Sequence, residues 1–282
     1  MRAEQLTDPI TFHGEGPVWS PAWGGLRLVD LFAGDVLTLT DDGEPVRRHV
    51  DSIAAALRPR SAGGAVVAIE RGFALEDADG TLTRLPELWS DPGVRMNDGG
   101  AAPDGSFYCG SMAYDQRTGA GSLYRLAADG SVSLAHSGVT ISNGLQWSPD
   151  GALAYYNDTP TGRIGVFDWA PDTGLTGLRT FAQIPEADGY PDGLTVDSTG
   201  GVWVALYASG AVRRYSPEGV LDAVIEVAAG RVTACTFGGA DLTQLFITTS
   251  RENLAPGDDP IAGSIFTATP GVAGLPVTTF AG

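Results

Sequence analysis

The chain has 282 residues, of which 34 are Asp or Glu and only 17 are Lys or Arg, so its formal net charge is −17. Because nucleic acids and anionic lipid surfaces are bound through clustered Lys and Arg, this charge disfavours both as partners. A hydrophobic content of 43% excludes a disordered protein, and 39 glycines with few Glu, Lys and Gln favour strands and turns over helices.

The first residues, MRAEQLTDPI, lack the apolar core of a signal peptide, and no stretch reaches the roughly 18 apolar residues of a membrane span. We therefore expect a cytoplasmic protein. Cys109 and Cys235 lie in apolar, strand-like runs without a C-x-x-C partner. The sequence thus predicts two buried, reduced thiols and neither a disulfide nor a thiolate metal site.

Two short patterns recur along the chain. The first is a Gly-containing turn followed by a β-rich run, as in GGLRLVDL, and its copies begin at Gly24, Gly63, Asp104, Asp150, Gly200 and Ala240. The second begins with Gly a few residues downstream, as in GSLYRLAADG, and its copies begin at Gly34, Gly72, Gly121, Gly162, Gly210 and Gly263. Successive copies of the second pattern are 38 to 53 residues apart, near the length of one four-stranded propeller blade.

These repeats predict an all-β fold, a six-bladed β-propeller with four-stranded antiparallel blades around a central channel, as a single domain over residues 1–282. Each repeat is a β-meander that cannot bury both faces alone, so radial stacking of the blades supplies the core. A β-sandwich or a parallel solenoid is the alternative, but neither accounts for six copies of a two-part pattern. We expect the segment before His13 to close the ring by pairing with the blade that ends at Phe280.

A polar residue stands at a nearly constant offset before four of the first-pattern runs, namely Glu15, Asn97, Asn143 and Asp192. Equivalent positions of different blades form a ring around the channel, so these side chains should meet at one end of it. The two carboxylates of such a ring would repel each other without a cation. With one, the two carboxylates and two amides form an all-oxygen site for a hard divalent metal. Taken singly, each Asn-Gly or Asp-Gly pair is also typical of a turn. The matching stretches of blades two and six, SIAAALRP and TACTFGG, are small or apolar, so we expect a neutral wall there.

The motifs GEGPVW, NDGGAAPDG, SNGLQWSPDG and PDGLTVDSTGG together resemble the gluconolactonase/regucalcin family, also called senescence marker protein 30, over essentially the full length. The resemblance implies a six-bladed propeller with one divalent metal in its central channel. It places the three metal ligands at Glu15, Asn143 and Asp192.

The resemblance also implies substrate contacts. The family's Arg and Asn contacts match Arg95 and Asn97 in RMNDGG, and the nearest candidate for a further acidic contact is Asp115, in a loop shorter than that of the animal members. Tyr114 and Tyr190 lie near loops and are further candidates to contact the substrate.

The resulting hypothesis is a hydrolase that opens a sugar (aldono) lactone to the aldonic acid. The cation would be calcium first, and otherwise magnesium, manganese, iron or zinc; it would polarise the lactone carbonyl and activate a water. Asp192 would accept the proton of that water as general base. Arg95 and Asn97 would bind ring hydroxyls, Asp98 would orient Asn97 or its loop, and His13 is a candidate to line the mouth.

Two alternatives stay open. One is a non-catalytic propeller that binds a metal or another protein, because fold does not fix function; the other is an esterase or phosphotriesterase on the same metal site. A serine nucleophile is disfavoured because no G-x-S-x-G elbow occurs, and a His-ligated zinc site because His13, His49 and His136 are scattered. We expect a small-molecule lactone as partner and a monomer or weak homo-oligomer.

Overall fold

The computed structural model describes residues 1–40 and 45–282 of the chain. In these residues the strands form six separate antiparallel sheets of four strands each, which is the predicted propeller. The Asp-Gly turn that the second pattern predicts within residues 41–44 lies outside the described residues.

The strands follow one another blade by blade, after a first strand, β1 (Glu4–Gln5), that belongs to blade six. Blade one contains β2 (Gly14–Ser20), β3 (Gly25–Asp30), β4 (Asp35–Leu39) and β5 (Pro45–His49). Blade two contains β6 (Ala54–Pro59), β7 (Ala65–Ile69), β8 (Gly72–Glu76) and β9 (Leu82–Arg84). Blade three contains β10 (Val94–Ala101), β11 (Phe107–Ala113), β12 (Gly121–Leu126) and β13 (Val132–Val139).

Blade four contains β14 (Ser142–Trp147), β15 (Leu153–Asp158), β16 (Arg163–Ala170) and β17 (Gly174–Gln183). Blade five contains β18 (Tyr190–Val196), β19 (Val202–Tyr207), β20 (Ala211–Tyr215) and β21 (Leu221–Glu226). Blade six contains β22 (Val232–Gly238), β23 (Gln244–Thr249) and β24 (Phe266–Ala268), and β1 completes it. Short 3₁₀ helices cover Pro21–Trp23, Leu31–Ala33, Thr159–Thr161 and Glu186–Asp188.

The first strand of each blade lies at the channel. These inner strands contact one another in ring order, from β2 through β6, β10, β14, β18 and β22 back to β2. The first repeat pattern forms the second strand of every blade and the second pattern forms the third, as predicted. We call the end of the channel where the inner strands begin the upper end and the opposite one the lower end.

Both chain termini help to close the ring. β1 pairs antiparallel with β24, so the N-terminal segment supplies the outermost strand of blade six, as expected. The expectation that this blade ends at Phe280 is wrong: its last C-terminal strand is Phe266–Ala268, and Pro270 follows, which cannot donate to a strand ladder. Residues 269–282 instead run along the lower end, and Phe280 forms a bridge with Arg60 of blade two.

Apolar side chains between neighbouring sheets hold the blades together. Trp19 stacks on Phe246 of blade six with ring centroids 5.7 Å apart, and Trp203 meets Phe237 of blade six edge-on at 5.8 Å. These indoles therefore link neighbouring blades. Both cysteines are buried and free, also as predicted. Among the described residues, no helix has the length and apolar character needed to cross a bilayer.

Candidate active site and metal centre

Each inner strand that bears a predicted ligand has a bulge near its upper end. The pairing of β14 with β15 skips Asn143 and Gly144, which together face one residue of β15. The same kind of break lies beside Glu15 in β2, at Asn97 in β10 and at Asp192 in β18. A bulge bends its strand and re-aims the side chains at it. Asn97, Asn143 and Asp192 therefore leave the regular register, and Glu15 is the last paired residue before its break.

The glycines that follow Asn143 and Asp192 leave space for the neighbouring blades, which pack where a side chain would otherwise lie. Gly144 and Gly193 lie within strands, and a Cβ on Gly144 would stand 2.6 Å from the backbone nitrogen of Leu194 in blade five. A Cβ on Gly193 would stand 2.5 Å from the Cβ of Ala234 in blade six. The turn interpretation of these pairs is wrong, because at the bulges the inner strands approach so closely that only Gly fits.

A cavity of about 440 Å³ opens at the upper end of the channel, within the size range of small-molecule sites. Its wall contains Glu15, Asn143 and Asp192, the predicted metal ligands, and Arg95 and Asn97, two of the predicted substrate contacts. Upper-end loops and strand ends also place on this wall His13, Gln116, Tyr190, Tyr207, Glu252 and Asn253.

The orientation of the Asn143 amide follows from its partners. Its Nδ2 donates to Thr159 Oγ1 at 2.9 Å, and the Thr159 hydroxyl donates in turn to the backbone carbonyl of Pro191 at 2.8 Å. Because that hydroxyl has already given its hydrogen, it can only accept from Asn143, which leaves Asn143 Oδ1 on the other side. Asn143 Oδ1 and Asp192 Oδ1 are both buried, and neither has a hydrogen-bond partner among the described residues.

Carboxyl groups in the channel raise one another's pKa. Burial, followed by the charge of Asp98, raises the pKa of Glu15 to about 8. Burial raises the pKa of Asp98 to about 6, although the charge of Arg58 lowers it. Burial and then the charges of Glu15 and Asp98 raise the pKa of Asp192 well above its ordinary value. The channel therefore holds more carboxylate than its own cations neutralise.

These donors fit a hard divalent cation. Two carboxylates would leave such an ion formally neutral, and an all-oxygen set suits calcium or magnesium. The buried, unpartnered oxygens of Asn143 and Asp192 are acceptors that a cation would satisfy. In the part of the chain that the structure describes, no three His, Cys, Asp or Glu side chains cluster to hold a metal, which agrees with a ligand set whose third member is an amide.

Arg95 is held on the cavity wall by Asn97 and by two aromatic rings. Its Nη1 donates to Asn97 Oδ1 at 2.6 Å, and Asn97 Nδ2 donates to the backbone carbonyl of Ser142 at 2.8 Å. The guanidinium carbon lies 5.1 Å from the ring centroid of Phe32 and 5.7 Å from that of Tyr114, within cation–π range. Arg95 Nε is buried and has no partner among the described residues.

Two predicted contacts, Tyr114 and Asp115, are not among the residues of the cavity wall. The Tyr114 hydroxyl donates to Glu70 Oε1 at 2.7 Å. The Asp115 side chain is 64% exposed, and its carboxylate pairs with Arg117 at 3.1 Å. The backbone is left-handed at Gln116, with φ at 55°, and Gln116 is the residue of this loop that reaches the wall.

Asp98 holds the bulge itself. Its Oδ1 accepts from the backbone nitrogen of Gly99 at 2.7 Å, and Arg58 of blade two donates to the Gly99 carbonyl, also at 2.7 Å. Of the two predicted roles of Asp98, to orient Asn97 or its loop, these contacts agree with the second, because Asn97 is fixed by its bonds to Arg95 and to the backbone of blade four.

Blade six contributes a carboxylate to the cavity wall that the repeat patterns do not predict. Its inner strand is small or apolar at the ligand level, as expected, yet Glu252 reaches the wall from the loop after β23. Gln116 and Glu252 each stand three residues beyond the second strand of their blade, in the loop that leads to the third strand. Ala208 and Asn253, also on the wall, have φ of 65° and 56°, a conformation uncommon outside glycine.

A six-bladed propeller with an oxygen-rich pocket at the upper end of its channel is the class of protein that this fold and site define. The chain belongs to the family described as SMP-30/Gluconolactonase/LRE-like region, whose model matches residues 13–251. Regucalcin of Danio rerio is 34% identical to it over 281 residues, with 95% of each chain covered. Pentonolactonase XacC of Haloferax volcanii is 32% identical over 252 residues, with 89% of this chain and 86% of the relative covered.

A solved structure shows the same fold. The crystal structure of a calcium-binding protein, regucalcin, from Agrobacterium tumefaciens matches with a TM-score of 0.92 at 31% identity, covering 99% of this chain and 97% of that one. The resemblance indicated by the sequence motifs is thus confirmed.

Proposed function

We propose that the chain is a divalent-cation-dependent lactonase that opens a sugar lactone to the corresponding aldonic acid. The observation that carries the proposal is the pair of buried oxygens, Asn143 Oδ1 and Asp192 Oδ1, left without partners among the described residues beside Glu15 in one cavity. The names of the family and of the pentonolactonase relative support lactone hydrolysis over metal binding alone.

Glu15, Asn143 and Asp192 would hold the cation. The calcium-binding description of the Agrobacterium regucalcin supports calcium as the first candidate, and magnesium, manganese, iron and zinc are the others to test. When bound, a divalent cation supplies positive charge that polarises a carbonyl oxygen and lowers the pKa of a water.

Asp192 is the proposed general base. Its carboxylate lies on the cavity wall, and its Oδ1 has no partner among the described residues, so it can accept a proton there. Its carboxylate takes a proton from the water whose oxygen bonds to the lactone carbonyl carbon. The ring C–O bond then breaks, and the ring oxygen leaves as a hydroxyl that carries this proton, which gives the open-chain hydroxy acid.

Arg95 is the proposed anchor for the substrate, since its guanidinium group lines the cavity and can donate to a ring substituent. Asn97 fixes the guanidinium through Oδ1, and Gln116 adds a further amide to the wall. Asp115 stays outside the proposed contact set because Arg117 occupies its carboxylate.

A metal-dependence assay tests this function. Protein stripped with EDTA is assayed for acid release from gluconolactone, xylonolactone, phenyl acetate and a phosphotriester, before and after each cation is restored. We expect lactone turnover only with the cation present, and an unchanged circular dichroism spectrum without it. Folded protein that turns over no lactone with any cation would refute the proposal, and faster turnover of the ester or phosphotriester would establish the alternative enzyme.

A further inference from the structure

Glu252 brings a negative charge to a part of the cavity where the inner strand offers none. β22 has small or apolar residues at the level of the metal ligands, whereas Glu252 enters the wall from the loop above that strand. Blade six lies opposite blade three in a ring of six blades, so Glu252 and Arg95 approach the cavity from opposite sides. Burial lowers the pKa of Arg95, and the charge of Glu252, which acts across the cavity, opposes that lowering.

The loop that carries Glu252 is tied down by contacts outside the metal ligands. The backbone nitrogen of Glu252 donates to Ser250 Oγ at 2.9 Å, and its carbonyl accepts from the Tyr207 hydroxyl at 3.4 Å. Arg231 Nη2 donates to the carbonyl of Asn253 at 2.9 Å. These bonds fix the backbone on both sides of the side chain, so the carboxylate has a defined place on the wall.

The carboxylate of Glu252 keeps acceptor capacity for a ligand. Its nearest cationic candidate is His13, whose Nδ1 lies 3.5 Å from Oε2. The buried Ser250 hydroxyl needs an acceptor for its hydrogen and lies 2.7 Å from that same Nδ1. His13 Nδ1 is therefore itself an acceptor and does not satisfy Glu252.

Charge balance around the cavity then limits what can enter. A divalent cation would compensate Glu15 and Asp192, which leaves Glu252 and Arg95 as one negative and one positive charge on the wall. Arg231, which is not part of the wall, also acts on Glu252 through its charge. The cavity is thus suited to a neutral ligand with several hydroxyl donors, since a carboxylate accepts from hydroxyls and repels anions.

We propose that Glu252 is a specificity-determining residue of the site: it accepts hydrogen bonds from the hydroxyl groups of a neutral sugar lactone and excludes lactones that carry a phosphate or carboxylate. This inference rests on the proposed lactonase function. It assigns to blade six a role in choosing the substrate that is separate from holding the cation.

Kinetics on three lactones test the inference. Glucono-1,5-lactone has ring hydroxyls, δ-valerolactone has the same ring without them, and 6-phosphoglucono-1,5-lactone adds an anion. For Glu252→Ala we expect kcat/KM for gluconolactone to fall about tenfold or more, mainly through KM, with δ-valerolactone changed less than about twofold. For Glu252→Gln we expect kcat/KM for the phosphorylated lactone to rise about tenfold. Glu218→Gln, at a lower-end turn, is the matched control and should change none of the three.

A binding measurement separates this inference from the proposed function. Gluconolactam and δ-valerolactam resist hydrolysis, and calorimetry with the cation-loaded protein should show a Glu252→Ala loss for gluconolactam alone. That result supports the role of Glu252 even if the wild type hydrolyses no lactone. Equal losses for lactones with and without hydroxyls, or wild-type affinity for gluconolactam in Glu252→Ala, would overturn hydroxyl recognition. No gain on the phosphorylated lactone in Glu252→Gln would overturn anion exclusion.

Discussion

Asp192 and Asp197 stand five residues apart, at the upper and lower ends of the same inner strand of blade five, and both are almost fully buried, at 6% and 0% exposed. Asp192 keeps an oxygen without a partner among the described residues, and its pKa is raised. Burial also acts to raise the pKa of Asp197, but hydrogen bonds from Arg214, Thr199 and Trp203 outweigh it and lower that pKa to about 2.

The difference shows that burial alone does not reveal the role of a carboxylate in this fold. The acceptor sites of Asp197 are filled by the protein, with Arg214 Nε at 2.7 Å and Trp203 Nε1 at 2.9 Å, so it stabilises the lower end. An Asp192 oxygen without a partner among the described residues lowers the free energy of unfolding, and a bound ligand can restore that free energy. The upper end of this strand thus serves function, whereas the lower end serves stability. Four experiments test this difference.

The largest expected effect is that of Asp192→Asn on turnover. Losing the general base should lower kcat about 10³-fold. The cation-free variant should be at least as thermally stable as the wild type, because one of the mutually repelling carboxylates is gone. Lactone kinetics and thermal unfolding in EDTA measure both, and a variant that keeps more than about a tenth of kcat would remove Asp192 from the chemistry.

Asp197→Asn should show the reverse pattern, with kcat retained and stability lost. A native pKa near 2 against an ordinary 3.8 corresponds to about 2 kcal/mol of unfolding free energy at pH 7. Because the native pKa is the depressed one, this stabilisation is present above about pH 4 and is lost as the pH falls towards 2. Urea unfolding of both proteins should show their difference shrinking over that window, and a difference independent of pH would contradict the assignment.

Thr159→Val tests how the upper end orients its ligands. Without the hydroxyl, the Asn143 amide is no longer fixed, and cation affinity should weaken about tenfold while kcat at saturating cation changes little. Thr161→Val, in the same short helix, is the matched control, since that hydroxyl donates only to the Asp158 carbonyl. Calorimetric titration with calcium measures both variants, and equal affinities would show that Thr159 does not orient Asn143.

The smallest effect should come from Asp115→Ala. Its ion pair with Arg117 joins side chains that are 64% and 47% exposed, and such pairs contribute at most about 1 kcal/mol. We expect kcat/KM within about twofold of the wild type, whereas Gln116→Ala should raise KM more. A tenfold drop for Asp115→Ala would return this residue to the substrate contacts.

The repeats made the fold predictable from the sequence, because six copies of two patterns mark the second and third strands of each blade. They also predicted that Glu15, Asn143 and Asp192 meet at one end of the channel, since an inner-strand position repeats from blade to blade, and the three residues share one cavity wall. Their role as metal ligands stays a prediction. The glycines after these positions were harder to interpret, because a close approach of two blades and a turn both favour Gly. Only the structure shows that Gly193 faces Ala234 of the next blade.

Loops were beyond prediction for a physical reason. Glu252 reaches the wall because Arg231 and Tyr207 hold its loop, and neither contact is a local property of the sequence. The position of Gln116 depends in the same way on a left-handed backbone conformation, which is not predictable at a residue other than glycine. Residues fixed by long-range contacts leave no periodic signal, whereas residues fixed by strand register do.

Ring closure through β1 and β24 also sets the order of events during synthesis. β1 is made first, but its partner appears about 260 residues later, which at 5–20 residues per second is on the order of tens of seconds. β22, which contacts β2 in the closed ring, is also made late, so until then blade one has no blade six beside it. The nascent chain therefore carries Glu15 for most of translation without a pocket, and the site forms only when the last blade meets the first.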